Sequence, residues 1–221
     1  MKKSKLGACA LALATAAAIC VPGTALAAPA AAGSKTLEAA GASDSTITGT
    51  ITATKLSVSV PTTAAFTIDP TVEATDPGKQ ITDASTNYTV TNASAVPVYA
   101  YISNCTIAKA GATAGNPTLV KKTADLATDC AVMFAVKDAA SAPSNFDTEG
   151  DWLTGAGTYY AFNAASHGKL ASKSAADKAS DGSNAATMGF YGQTTTGWSN
   201  GDTFTITPTF TIATTDTGAA S

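Results

Sequence analysis

The sequence predicts an all-β protein, and three observations carry that expectation. Apolar and polar residues alternate with period two over short runs, most clearly in "TFTITPTFTIAT" (residues 203–214), where Phe204, Ile206, Phe210 and Ile212 stand among threonines. Gly, Pro, Asn and Asp punctuate the runs, and a helical period is almost absent beyond residue 45. Alternation with β-branched and aromatic enrichment between turn residues is the mark of strands. About nine such runs with few helices point to a two-sheet antiparallel β-sandwich, Ig-like or jelly-roll-like.

The chain opens with Lys2, Lys3 and Lys5, an apolar run from Leu6 to Val21, then Pro22-Gly23 and Ala25-Leu26-Ala27. A basic start, a short apolar stretch, a helix breaker and an A-x-A site predict a secretory signal peptide over 1–27. Cys9 and Cys20 are not placed for lipid attachment, and no later apolar run approaches the roughly 20 residues of a membrane span. The mature chain is therefore expected to be secreted, with no membrane span.

Residues 28–45, "APAAAGSKTLEAAGASDS", are small and polar and predict a flexible leader ahead of a single β-sandwich domain over 46–215. The first threonine ladder, "TITGTITAT" (46–54), sets Ile47 and Ile51 among threonines. "KLSVSV" then places Leu56, Val58 and Val60 on one face, and "NYTVT" does the same with Tyr88 and Val90. "VPVYAYIS" sets Val96, Val98, Ala100 and Ile102 against Tyr99 and Tyr101. "CAVMFAVK" is apolar on both faces and predicts a central strand. "TYYAFN", "TMGFYG" and the 203–214 ladder complete the set. In the last of these, Phe204, Ile206, Phe210 and Ile212 are expected inside and the threonines outside. Pro208 has no N–H for a ladder, which places it at an edge or a bulge, so that strand should be an edge over at least part of its length. A short helix is expected near 168–180, "GKLASKSAADKAS", where Ala, Lys and Leu favour it. Residues 137–157 and 164–185 are long connections, of a length that carries function or mobility. A disordered tail is expected over 216–221.

Charge excludes some partners. Ten lysines and all sixteen acids lie beyond residue 27, a formal charge of −6, and the chain has no arginine. Nucleic acid, whose phosphates and guanine edges are read by Arg and Lys clusters, is not an expected partner. Two cysteines, Cys105 and Cys130, lie beyond the signal peptide. In an oxidising compartment they predict one disulfide, which would stabilise by about 3 kcal/mol in the chain-entropy model. Two free thiols or a metal site are the alternatives, the latter short of ligands because His167 is the only histidine.

No catalytic pattern is present. His167 has no G-x-S-x-G nucleophile or orienting partner beside it, and H-E-x-x-H and Walker motifs are missing. No cofactor is expected, with calcium as the one ion to consider. Asp147, Glu149 and Asp151 alternate in "DTEGDW", so their oxygens could meet one hard cation. The EF-hand pattern nevertheless fails at Trp152 and Thr158, and solvated loop acids are the plainer reading. Trp152 and Trp198, with Tyr99, Tyr101, Tyr159 and Tyr160, are candidates for a glycan-stacking surface; aromatic core packing is the alternative. N-x-[ST] patterns start at Asn87, Asn92 and Asn104. An isopeptide cross-link from Lys55 finds no Asn or Asp in the final strand.

The run "VTNASAVPVYAYIS" (90–103), preceded by "KLSVSVPTTAAFTIDP" (55–70), resembles secreted β-sandwich proteins of Gram-positive bacteria, namely matrix-fibre proteins of the camelysin and TasA kind and, more loosely, WxL-type cell-wall proteins. Trp152 and Leu153 are adjacent, so no W-x-L triplet is present. The resemblance implies a surface or extracellular-matrix subunit that assembles with itself or with other cell-surface proteins, and the missing zinc motif makes a non-enzymatic role the expectation. Residues 45–54 are the candidate donor strand, with Ile47 and Ile51 as anchors in a neighbouring subunit's groove. Pairing within their own sandwich is the alternative. A second expectation is a carbohydrate- or host-binding adhesin module using loops 137–157 and 164–185.

Overall fold

The computed structural model describes residues 56–111, 115–216 and 218, all within one compact unit spanning Thr50–Ser221. The signal peptide, the leader, Ile47, Ile51 and Lys55 lie outside the described residues. The chain is mostly strand, with one α-helix among the described residues. No helix among them is long and apolar enough to cross a membrane.

In chain order the strands are β1 (Val58–Ser59), β2 (Thr67–Ile68), β3 (Ile81–Thr82), β4 (Tyr88–Asn92), β5 (Val98–Ala110), β6 (Thr118–Val120), β7 (Ala131–Asp138), β8 (Lys169–Leu170), β9 (Ala185–Thr194) and β10 (Thr203–Ala213). The helix α1 covers Ala175–Asp181, the C-terminal half of the expected stretch; Lys169–Leu170 at its start is strand instead. Three sheets result: β1-β4-β9-β7-β6, β10-β5-β8 and the pair β2-β3. All pairings are antiparallel except β6 with β7, which is parallel, so the expectation of purely antiparallel sheets is corrected. Residues 121–130 make that crossover through a 3-10 turn over Thr123–Ala127, whose Leu126 is buried.

The doubly apolar strand β7 lies inside its sheet, between β9 and β6. Successive residues of a strand face opposite sides, and here each side has its own apolar cluster. Val132, Phe134 and Val136 join the main core, which also takes Val90 and Phe190 from the same sheet and Ile102 from the three-stranded sheet. Ala131, Met133 and Ala135 join a second cluster with Leu126 and Trp152. Burying a side chain of this size contributes roughly 1.5–3 kcal/mol relative to exposure. Phe66 extends the main core, its ring 5.1 Å from Phe134 and 5.6 Å from Phe190.

Three local expectations are corrected. "KLSVSV" contributes only Val58 to the core; Leu56 and Val60 are exposed, because the segment pairs with β4 over just two residues. "TYYAFN" is not a strand: only Tyr159 bridges, to Ile102, and Ala161 and Phe162 are buried from a loop. The anticipated Cys105–Cys130 disulfide is not formed in the structure, which carries both as free, buried thiols. Cys105 stands on β5 within the main core, and burial pushes its thiol up to about 12. Cys130 precedes β7, and its Sγ donates to the Gly197 carbonyl at 3.0 Å.

The run "TNASAVPV" has a structural explanation. Asn92 is fully buried, and its Nδ2 donates to the carbonyls of Val96 (2.9 Å) and Ala171 (2.8 Å) while Oδ1 accepts from the Ser94 amide at 2.9 Å. The Ser94 hydroxyl accepts from the Ser57 amide at 2.8 Å. These bonds tie the β4–β5 turn to β1 and to the segment after β8. Both amide protons are used inside the fold, so the N-x-[ST] pattern at Asn92 offers no accessible nitrogen. Asn92→Ala is expected to destabilise by about 2–3 kcal/mol, since it leaves buried backbone groups unpaired. Urea unfolding monitored by circular dichroism checks it.

Candidate functional site

The three-stranded sheet ends in β10, the second threonine ladder. Its 11 residues pair with β5 from Thr203↔Ala110 to Ala213↔Tyr99, with an irregularity between Thr209 and Phe210. Its other flank has no strand partner among the described residues, so β10 is the edge that Pro208 predicts. Thr205, Thr207 and Thr209 are exposed as expected, whereas Thr211 is half-buried and its hydroxyl donates to Ser103 Oγ at 2.8 Å. Phe204, Ile206, Phe210 and Ile212 pack against the main core but are only half-buried, where full burial is expected from the sequence. An edge strand has a neighbour on one side only, so its inward side chains are covered on one side only.

Two openings beside β10 expose that shortfall. One, of about 230 Å³, lies between Pro61–Ala64 and Ile206–Pro208, with Phe134 and Phe190 in its lining. The other, of about 410 Å³, lies between Ala64–Ile68 and Asp202–Ile206. Beside the flank of β10 that has no strand partner among the described residues, they expose Phe66, Phe204 and Ile206 among threonines. An unpaired edge with alternating apolar openings accepts an extended chain through main-chain hydrogen bonds.

The two long connections meet elsewhere on the molecule. Lys137–Ser141 and Asp151 from the first, with Ala164–Ser166, Lys169 and Ser180–Ser183 from the second, line an open cleft of about 1120 Å³. Lys137 is buried; its Nζ lies 2.9 Å from Asp151 Oδ1 and donates to the Tyr160 carbonyl at 3.1 Å. Lys169 Nζ lies 2.9 Å from Asp181 Oδ1, and that hydrogen bond holds the ammonium above the ordinary lysine value.

The remaining sequence candidates are redistributed. Trp152 is completely buried and stacks on Phe146 at 5.6 Å, so it cannot meet a ligand. Trp198 is half-buried against Phe204, its Nε1 donating to Thr194 Oγ1 at 2.6 Å. The glycan-stacking role of Trp152 is corrected to core packing, because its indole is fully enclosed, whereas Trp198 keeps part of its ring at the surface. Asp147, Glu149 and Asp151 do not converge either. Glu149 pairs with Lys121 (3.0 Å) and Lys122 (3.3 Å), which hold its carboxyl below the usual range, and Asp151 pairs with Lys137. Asp147 is exposed, and among the described residues no group of ligands could hold a metal. Lysines thus take the oxygens that calcium would need. His167 Nδ1 lies 2.7 Å from Asp216 Oδ1, and its ring packs on Tyr160 at 5.4 Å.

Sequence reasoning singled out the loops and β10 but missed Lys137, Lys169 and Asp181 as cleft residues. A lysine in a strand carries no sequence signal of burial.

No protein-family model, curated protein or solved structure matches the chain.

Proposed function

We infer that the protein is a secreted, non-enzymatic structural subunit of a bacterial surface or extracellular matrix, a two-sheet β-sandwich that assembles by adding a neighbour's strand to β10. The observation that carries this is the flank of β10 that has no strand partner among the described residues, where half-buried Phe204 and Ile206 border two openings. The occupant is residues 45–54 of a second copy. That segment alternates Ile47 and Ile51 with threonines, and a strand rises about 3.3 Å per residue, so the two isoleucines stand roughly 13 Å apart on one face. Such spacing suits two successive openings along an edge. The signal peptide and the resemblance to camelysin- and TasA-like matrix proteins support the same reading.

The test compares residues 28–221, a version starting at Lys55, and the double variant Thr205→Lys/Thr207→Lys, by light scattering and negative-stain microscopy. Fibres are expected from the first alone. The truncated chain should remain a folded monomer, and two lysines on the edge should block pairing. A monomeric full-length chain beside an unfolded truncation would show instead that residues 45–54 pair within their own domain.

A further inference from the structure

The cleft between the two long connections is independent of the β10 edge and shares no lining residue with its openings. Its size, about 1120 Å³, exceeds the roughly 300–1,000 Å³ of ordinary small-molecule pockets. It is open rather than enclosed, which suits an extended ligand that continues beyond the protein.

The chemistry of the walls narrows the ligand. Two cations, Lys137 and Lys169, face three carboxylates, Asp138, Asp151 and Asp181, and each lysine is already paired within the cleft. An anionic ligand would find no unpaired cation and a slight excess of negative charge. A metal would find no converging set of ligands. Phe162 lies beneath the surface, so no broad aromatic face is offered to a planar ring.

What the walls do offer is donor and acceptor side by side. An ammonium has three protons, and Lys137 spends two on Asp151 and the Tyr160 carbonyl. Lys137 itself is covered, while the Asp151 carboxylate that it holds stays partly exposed to the cleft. Lys169 and Asp181 form a second pair in which both the ammonium and the carboxylate are partly exposed. A hydroxyl accepts from such an N–H while its neighbour donates to the carboxylate, so a vicinal diol satisfies both at once. Ser166 and Thr187 add hydroxyls, and exposed Ala140 and Ala165 leave room for the C–H faces of a ring.

We propose that this cleft is a binding site for a neutral oligosaccharide chain, whose vicinal hydroxyls are held by the Lys169–Asp181 pair, with the Asp151 carboxylate as a further acceptor. The site uses the long connections and neither tryptophan. A matrix subunit with such a site would hold polysaccharide as well as its own copies, but binding does not require assembly.

Isothermal titration calorimetry of residues 28–221 with mannohexaose and cellohexaose, and with a hyaluronan hexasaccharide as the anionic comparator, tests it. At least one neutral probe should bind with a Kd in the micromolar to millimolar range, and hyaluronan should bind more weakly. Ala165→Trp, which fills the cleft from an exposed position, and Asp181→Asn, which removes the charged acceptor, should each weaken binding about tenfold or more, or about 1.4 kcal/mol. Circular dichroism melts confirm that both variants fold. Thr205→Lys/Thr207→Lys should bind as the parent does, which separates this site from the assembly edge. No heat from either neutral probe at millimolar concentration, preference for hyaluronan, or affinity unchanged in folded Ala165→Trp would overturn the proposal.

Discussion

Trp152→Ala is expected to lower folding stability by about 3–5 kcal/mol, the cost of emptying a large aromatic site in a core. Domains of this kind hold about 5–15 kcal/mol in total, so the variant should sit near the edge of folding. Trp152 is completely buried, stacked on Phe146 and clustered with Leu126, Met133 and Ala135 on the outer face of β7. Its Nε1 is buried with no hydrogen-bond partner. Trp152→Phe therefore removes an unpaired donor while keeping a ring, and it should cost far less than alanine. Urea midpoints for the two variants, read by tryptophan-independent far-UV circular dichroism, check the pair. A small loss in Trp152→Ala would show that the second cluster contributes little and that β7 is held by the main core alone.

Gly168→Ala is expected to lose on the order of 4 kcal/mol, combining left-handed backbone strain of about 1–3 kcal/mol with a steric term of similar size. Gly168 has φ +72°, and an added Cβ would stand 2.0 Å from the Ala100 carbonyl oxygen. That oxygen cannot retreat easily, because Ala100 is buried in β5 and its amide is bonded to the Gly168 carbonyl at 3.0 Å. The same contact begins the β5–β8 pairing, Tyr99↔Lys169 and Val98↔Leu170. The substitution should therefore also displace Lys169 from the cleft. Gly155→Ala is the control: its φ is +85°, but nothing lies within 4 Å of the added Cβ, so only the backbone strain should appear. Thermal melts of both variants give the difference, and equal losses would assign the effect to strain rather than to the contact with β5.

Alternation at period two was enough to place β4, β5, β9 and β10, because along most of each strand one face is more buried than the other. The doubly apolar composition of β7 likewise foretold an interior strand, and the structure adds a cluster on each side of it. Pro208 announced an edge, since a residue without an N–H is poorly tolerated between two partners. These are properties of single segments, and each is written in consecutive residues.

What needed tertiary structure was everything that depends on which segments meet. Trp152 could have been a ligand platform or a core anchor, and only the packing of β7 against Phe146 and Leu126 decided for the core. Asp147, Glu149 and Asp151 have the spacing of a calcium loop, yet Lys121, Lys122 and Lys137 arrive from distant strands and turns to neutralise two of them. The motif around Asn92 resembled a family signature, while its immediate role is to satisfy carbonyls at Val96 and Ala171, the latter far along the chain. The cleft walls come from residues on either side of β8, brought together by pairing that local pattern does not encode. Residue identity and period determined where strands run and which faces are apolar. Long-range contact determined which charges are paired, which aromatics are covered and which edge is left open, because those energies belong to pairs of segments rather than to either one.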